Sequence, residues 1–440
     1  MSDAMLTGRK TIFALASGGL PAGVAIIRVS GPDVRFVLQT MTGRVPEARV
    51  ATLVSIRSRN GQAIDKGLVL YFPAPNSFTG EACAEFHLHG GRAVVASAIG
   101  ALEEFSSLRH AEPGEFTRRA FENGQMDLTE VEGLADLISA QTEVQRQLAL
   151  QLVQGGLARR YGGWANRLTH ARAMLEAEFD FSDEDDVPGS VSDEVWHDLS
   201  DLAGELRSHL VDAESGERIR DGFRVVIVGA PNVGKSSLLN YLAKRDVAIV
   251  SQEAGTTRDV LSVDMDIGGY PVTIVDTAGM RETENAIEQE GIRRAEAQME
   301  SADLVLHLVE QHAQNYPLSA SDVVTVVTKA DLGDRGSWAE GLHISAQSGE
   351  GMDDLLTLIR ERASASMRLS GMAAPNRQRH RAHLRHCLTC LEAAIRDRSK
   401  PNELRAEDLR LAADELGRLT GRVDVENLLD VIFSEFCIGK

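Results

Sequence analysis

The sequence predicts a multidomain α+β protein: an N-terminal α+β domain, an all-α helical domain, and an α/β domain inserted into the helical one. Three observations predict it. Strand-like apolar bursts broken by Gly and Pro fill roughly the first 120 residues. Apolar residues three and four apart take over from Thr129 and return after Ser366. Between these helical halves, an apolar run enters a Gly-rich turn and then a helical pattern over residues 225–239. The expected boundaries are 1–123, then 124–218 together with 366–440, and 219–365 for the insertion.

Taken in order, Gly23–Val29, Gly67–Phe72 and Ala84–Leu88 read as strands, punctuated by Phe72-Pro73-Ala74-Pro75. From Thr129 the spacing of Val131, Leu134, Leu137 and Ile138 predicts a helix, and Thr129 with Glu132 three residues on predicts a capping-box start. Helical texture runs to about Phe179. The acidic run Asp183-Glu184-Asp185-Asp186 before Val187-Pro188-Gly189-Ser190 reads as a solvated turn, with a metal site as the alternative. Helical texture resumes over Ser192–Ile219, yields at Phe223 to strands alternating with helices up to about Arg362, and returns after Ser364-Ala365-Ser366.

The 440 residues suit about three domains, and 43% apolar with 25% charged residues excludes a disordered or fibrous chain. With 46 Lys+Arg against 65 Asp+Glu, the formal net charge is −19, which argues against the surface as a whole binding a polyanion. Nucleic-acid contact would be local or delegated to a partner. Cys83, Cys387, Cys390 and Cys437 are too few and scattered for a disulfide framework, so reduced thiols are expected. No apolar run reaches the ~18 residues of a membrane span, and Met1-Ser2-Asp3-Ala4 lacks a basic-then-apolar signal. A cytoplasmic protein without membrane contact is expected.

The apolar strand Val225-Val226-Ile227-Val228 enters Gly229-Ala230-Pro231-Asn232-Val233-Gly234-Lys235-Ser236 and then helical Ser237-Leu238-Leu239-Asn240. This is a complete G-x-x-x-x-G-K-S phosphate loop in strand–turn–helix context. Its glycines let backbone N–H groups curl around phosphate oxygens at a helix N-terminus, Lys235 offers a point charge, and Ser236 a hydroxyl for magnesium. Gly255-Thr256-Thr257-Arg258-Asp259 supplies a second candidate magnesium hydroxyl, and Asp276-Thr277-Ala278-Gly279 a strand-end acid and a glycine N–H for the γ-phosphate. Thr328-Lys329-Ala330-Asp331 offers a carboxylate that can accept from both N1–H and the exocyclic amine of guanine, a pair adenine lacks. Ile344-Ser345-Ala346 follows one strand later. This order is that of a GTPase, so the insertion reads as a P-loop (Ras-like) G domain.

Thr328 stands where the N-K-x-D base motif has Asn, and Gln347 where Lys commonly follows Ser-Ala. Met280 follows Asp276-Thr277-Ala278-Gly279, where Ras-type enzymes place a water-orienting Gln that a thioether cannot replace. An arginine finger supplies about 4–7 kcal/mol of barrier lowering, so another charge is needed. Arg258, Arg281, Arg293 and Arg294 are candidates by charge alone.

Further motifs are Ile27-Arg28-Val29-Ser30-Gly31, Ser77-Phe78-Thr79-Gly80-Glu81 and Pro113-Gly114-Glu115-Phe116-Thr117-Arg118-Arg119-Ala120-Phe121. To these are added Pro231-Asn232-Val233-Gly234-Lys235-Ser236, Ala254-Gly255-Thr256-Thr257-Arg258-Asp259 and the terminal Cys437-Ile438-Gly439-Lys440. On these motifs the sequence resembles, over essentially its whole length, the MnmE (TrmE) family of tRNA-modification GTPases. The resemblance implies a homodimer paired through folate-binding N-terminal domains, and a potassium-activated G domain carried by the helical domain. It implies potassium on Asn232, Ser251, Glu253 and Thr256, and magnesium on Ser236 and Thr257, with Gln252 and Ala254 nucleotide-binding within the Ser251 to Thr256 loop that encircles the potassium. Glu288 is implied as the water-positioning catalytic residue; read without the resemblance it is a solvated helix Glu. Arg28, Glu81, Gln125 and Lys440 match positions around 5,10-methylenetetrahydrofolate or 5-formyltetrahydrofolate, with Gln125 where Lys or Arg is usual. Arg28 as an ion-pair partner is the competing reading. Cys437 is a further site candidate, with a small buried apolar role as its alternative.

Other constellations read as structural. Cys387-Leu388-Thr389-Cys390 lacks the second pair a zinc site needs, and His87 with His89 lacks a third ligand. Arg377, Arg379, His380, Arg381, Arg385 and His386 form a basic helical segment, a solvated face or the best local place for RNA. The resemblance implies a GTP hydrolase serving addition of an aminomethyl or carboxymethylaminomethyl group at C5 of the tRNA wobble uridine, with the FAD-containing MnmG (GidA) protein. The rival is an Era-like regulatory GTPase switch binding RNA or ribosome; no G-x-x-G loop in a basic βα setting follows the G domain.

Overall fold

The computed structural model describes residues 9–180, 192–245, 248–249, 261–276, 297–310, 322–332, 341–369, 371, 373–396, 400–423, 429, 432–433, 436 and 439. The chain divides into two compact units, Met1–Ala135 with Gly417–Lys440, and Asp136–Leu416.

The first unit is built on a six-stranded sheet of β1 (Thr11–Leu15), β2 (Ala22–Ser30), β3 (Thr52–Arg57), β4 (Ala63–Phe72), β5 (Cys83–Gly90) and β6 (Leu108–His110), in the order β3-β4-β5-β2-β1-β6. All neighbours run antiparallel except β1 and β6. Period-two alternation decides which face is covered: Ala25, Ile27 and Val29 of β2 are wholly buried. They pack in one core with Val34, Val37 and Leu38 of α1 (Val34–Thr42) and Val95, Ala98 and Leu102 of α2 (Arg92–Glu103). Leu53 and Leu68, paired across β3 and β4, remain 57% and 42% exposed. After α3 (Glu115–Glu122), α4 (Leu128–Ser139) begins one residue before the expected cap. Asp127 is the capping residue instead: its Oδ1 accepts from Glu130 N (2.9 Å) while Glu130 Oε2 accepts from Asp127 N (2.7 Å), closing the reciprocal box. Thr129 and Glu132 are buried inside the helix.

In the second unit, the helical stretch expected to run unbroken to about Phe179 is interrupted. Thr142 caps α5 (Glu143–Val153) through a box with Gln145, and Gly155 (φ 75°) separates it from α6 (Gly156–Asp180). The long α7 (Ser192–Asp221) follows. The acidic run Asp183–Asp186 lies outside the described residues. The sheet comprises β7 (Phe223–Gly229), β8 (Leu261–Ile267), β9 (Tyr270–Asp276), β10 (Leu304–Val309), β11 (Val323–Val327) and β12 (Leu342–His343), ordered β12-β11-β10-β7-β9-β8. Only β8 is antiparallel to its neighbour.

Because a parallel sheet is covered on both faces, its strands are continuous apolar runs. Val225 and Ile227 of β7 face one core, with Leu238, Leu242, Met352 and Ile359, while Val226 and Val228 face another with Val275 and Val305. β7 lies between β10 and β9, where the strand order reverses, so a crevice opens beyond its carboxyl end. That is where α8 (Lys235–Ala243) begins. Helices Met352–Ser366, Gln378–Arg396 and Asn402–Thr420 follow. Among the described residues no helix is long and apolar enough to cross a membrane.

Candidate nucleotide site and N-terminal polar cluster

At the end of β7 the backbone turns sharply. Gly229 adopts φ 152°, and a Cβ there would stand 2.5 Å from Leu308 O, so only glycine lets β7 lie this close to β10. Asn232 takes φ 63°, a left-handed conformation its short amide side chain tolerates, and Gly234 (φ 110°) caps α8. Lys235, buried at the first helical position, donates from Nζ to Gly229 O (2.7 Å) and Ala230 O (2.8 Å). Its ammonium is thus held within the loop, at the positive end of the α8 dipole, as a phosphate site requires. Ser236 Oγ donates to Oδ2 of Asp276 (3.3 Å), which is fully buried at the end of β9. A hydroxyl and a carboxylate so placed are hard oxygen donors that fit magnesium.

Beside the start of α8 is a cavity of about 200 Å3 lined in part by Gly234, Ser237, Thr328, Asp331, Ser345 and Ala346. Three segments separate in sequence therefore line one cavity. Thr328 N donates to Val309 O (3.0 Å) and Ala330 N to Ile344 O (3.1 Å), tying the segment after β11 to both neighbouring strands. Lys329 takes φ 60°, and its Nζ reaches Glu310 Oε1 at 2.6 Å. Buried Ser345 accepts on Oγ from Gln347 N (3.2 Å) and Ser348 N (3.1 Å), which shapes the far wall. Gln347 also lines the cavity. The Thr328 hydroxyl points into the protein, donating to Val233 O at 2.7 Å.

The first unit holds a second polar cluster. Arg28 and Ser30, two apart on β2, share a strand face with the loop before β5. Glu81 is 4% exposed; its Oε2 accepts from Ser30 Oγ (2.9 Å) and Arg119 Nη1 (2.9 Å), while Oε1 is buried without a hydrogen-bond partner among the described residues. Arg119 also donates to Glu115 Oε1 (2.9 Å) and Lys10 O (2.9 Å). Burial opposes ionisation of Glu115, but hydrogen bonds from Arg109, Glu112 N and Arg119 outweigh it and hold the carboxyl below its usual range. Arg28 pairs with Glu85 (Nη2 to Oε1, 2.9 Å), and its guanidinium lies 5.2 Å from the Phe78 ring centre and 5.7 Å from that of Phe116. The loop approaches Gln125 closely at Gly80 (φ 76°), where an added Cβ would stand 3.2 Å from the Gln125 side chain. A buried carboxylate oxygen without a partner among the described residues and, on the same sheet, a guanidinium lying over two aromatic rings are groups that a hydrogen-bonding heterocycle with an acidic tail would fit.

Residues 128–437 match the family described as the MnmE helical domain, and residues 11–125 match the N-terminus of the GTP-binding protein TrmE. The chain belongs to the MnmE (TrmE) family. Curated relatives named tRNA modification GTPase MnmE, from Brucella canis, Brucella melitensis biotype 1 and Brucella anthropi, are each 55% identical over 98% of both chains. Among solved structures, the G domain of the T. maritima FeoB iron transporter is 23% identical, covering 32% of this chain and 98% of its own at a TM-score of 0.24. Aquifex aeolicus Era is 24% identical, covering 40% of this chain and 68% of its own at a TM-score of 0.26.

Of the site residues expected for an MnmE-family chain, Asn232 to Ser237, Asp276, Thr328, Lys329, Asp331, Ser345 and Ala346 are placed in the second unit, and Arg28, Glu81 and Gln125 in the first. Ser251 to Thr257, Thr277, Ala278, Gly279, Glu288, Cys437 and Lys440 lie outside the described residues. The sequence reading missed the parts played by Ser30 and Arg119, which grip Glu81. The signal was available in both motifs as polar residues within apolar surroundings, but pairing across 38 positions is invisible in one dimension.

Cys387 and Cys390 are core thiols, each pushed above its usual range chiefly by burial, and His89 is paired with Asp65 at 2.9 Å. No metal-ligand cluster occurs among the described residues. Within the basic segment Arg377 pairs with Asp136 and Arg381 with Glu217, while the rings of His383 and His386 lie against the buried Glu415.

Proposed function

We propose that this MnmE-family protein is a GTP hydrolase acting in tRNA wobble-uridine modification. The observation that carries the proposal is the junction of a buried Lys235 loop with a cavity presenting Asp331. The loop follows β7 and Asp331 follows β11, so both lie beyond the carboxyl ends of parallel strands, where a phosphate cradle and a base-reading carboxylate would be needed. Lys235 and the α8 N-terminus hold the phosphates, Ser236 with Thr257 holds magnesium, and Asp331 accepts from the guanine N1–H and amine. Asn232, Ser251, Glu253 and Thr256 are the groups offered to potassium, with Glu288 positioning water. Bound potassium would supply the positive charge that the thioether of Met280 cannot.

Glu81, Arg28, Gln125 and Lys440 form the proposed tetrahydrofolate site, where the folate supplies the one-carbon unit; the open Glu81 Oε1 supports this reading. Homodimer formation through the first unit is supported by the exposed Leu53 and Leu68 pair. Delegation of tRNA contact and flavin chemistry to MnmG, in the cytoplasm, fits a net charge of −19 and a basic segment in which Arg377 and Arg381 are paired with acids. The Era-like switch reading has no supporting observation. Steady-state GTP hydrolysis in potassium and in sodium, with and without Asn232→Ala, tests the proposal. Faster turnover in potassium, abolished in the variant, is expected; equal rates would remove the cation, and no hydrolysis in either salt would remove the GTPase.

A further inference from the structure

Thr328 departs from the Asn of the base-reading motif, and the structure gives its hydroxyl one dominant use. Oγ1 lies 2.7 Å from Val233 O in the phosphate loop and 3.3 Å from Val309 O, and the side chain is 5% exposed. A threonine hydroxyl carries a single proton. With both neighbours carbonyls, that proton is directed into the protein, and Thr328 clamps the phosphate loop to the ends of β10 and β11. Guanine N7 is an acceptor and can be read only by a donor. The backbone N–H groups of Thr328, Ala330, Gln347 and Ser348 are already given to Val309 O, Ile344 O and Ser345 Oγ, and Lys329 Nζ is drawn to Glu310. The exposed Gln347 amide also lines the cavity, but no hydrogen bond among the described residues fixes it towards a base, so it is not a preset N7 donor.

We infer that this cavity reads guanine along its Watson–Crick edge and leaves N7 unread, Thr328 acting as a positioning residue that braces the phosphate loop through Val233. The inference rests on the guanine-nucleotide reading of the same cavity. It is chemically economical, because N7 is an acceptor in adenine and guanine alike. Giving it up costs affinity but no discrimination between them, which Asp331 carries. An asparagine at 328 has two amide protons and could serve both Val233 O and N7; a threonine cannot.

The test is competition of GDP and 7-deaza-GDP against a fluorescent GDP analogue on the full-length protein. Wild type is expected to bind the two within about twofold, because removing N7 removes nothing the site uses. Thr328→Asn should bind 7-deaza-GDP about five- to tenfold more weakly than GDP, having gained one neutral hydrogen bond. Thr328→Ser keeps the clamp and the wild-type ratio, whereas Thr328→Val weakens both ligands by a common factor of about three to tenfold. A fivefold or greater preference for GDP in wild type overturns the N7 inference, and unchanged affinities in Thr328→Val overturn the brace. Absence of saturable GDP binding in wild type would instead refute the guanine site itself, and the inference with it. The Asn and Ser variants keep a polar partner for Val233 O, so the ratio is measurable even if the Val variant fails to fold.

Discussion

Arg119 and Glu81 form an almost completely buried ion pair, Nη1 to Oε2 at 2.9 Å with both side chains under 5% exposed. Their attraction alone does not justify placing two charges in a core, since desolvation of each costs several kcal/mol. The pair is sustained by surrounding hydrogen bonds: Ser30 on Glu81, and Glu115 and Lys10 O on Arg119. Removing one partner strands the others. Arg119→Ala is expected to destabilise the first unit by about 3–5 kcal/mol, while Arg119→Lys, which keeps charge but loses the fork, costs less. Urea unfolding followed in the isolated full-length variants measures this; a change below about 1 kcal/mol in the Ala variant would show that the cluster adds nothing to the fold.

A buried histidine contributes to the acid response of the second unit. His209 accepts from Arg160 Nη1 on Nδ1 (2.8 Å), so its proton sits on Nε2, facing Tyr161 OH at 3.2 Å. Burial, then the Arg160 charge and, more weakly, His380 depress its pKa to about 3, against an opposing pull from Asp212. The unfolded chain therefore binds more protons than the folded one between the ordinary histidine range near 6.5 and about 3. Stability rises with pH across that window and is lost as pH falls through it, by at most about 5 kcal/mol. His209→Gln can still accept from Arg160 and donate to Tyr161, and it cannot titrate. Its unfolding midpoint should vary less with pH than wild type between 6.5 and 4, and parallel curves would exclude His209 as the source.

How far the sequence could be read is visible at the start of α4. Asp127/Glu130 and Thr129/Glu132 are overlapping matches to the same capping pattern, and nothing local distinguishes them. The choice is tertiary: Thr129 is wholly buried and donates its hydroxyl to Asp127 Oδ1 at 2.7 Å, so it supports the cap rather than forming it. The phosphate loop was legible because its chemistry is contiguous, β7 into Lys235 within a few residues. The Glu81 cluster was not, because Ser30, Glu81 and Arg119 meet only when β2, the β4–β5 loop and α3 are folded together. Asp127→Ala is accordingly expected to cost about 1 kcal/mol, and hydrogen exchange should speed at the first amides of α4. Unchanged exchange there would return the cap to another residue.

Asp331 is the middle residue of the short helix Ala330–Leu332 and lines the cavity beside α8, with Ala330 N tied back to Ile344 O at 3.1 Å. A carboxylate offers two acceptors to one edge, which matches the two adjacent donors of guanine. Asp331→Asn replaces one acceptor with a donor, leaving a donor facing the guanine amine. GTP affinity should fall by at least about a hundredfold, the consequence of facing unpaired donors plus a lost charge-assisted pair. Xanthine nucleotides carry a carbonyl where guanine has that amine, so the same variant should bind XDP more tightly than GDP. Lys235 and the loop it occupies are untouched by the change, so phosphate binding persists and the swap is in base preference alone. If Asp331→Asn loses GDP without gaining XDP, the base lies elsewhere in the cavity than against this carboxylate.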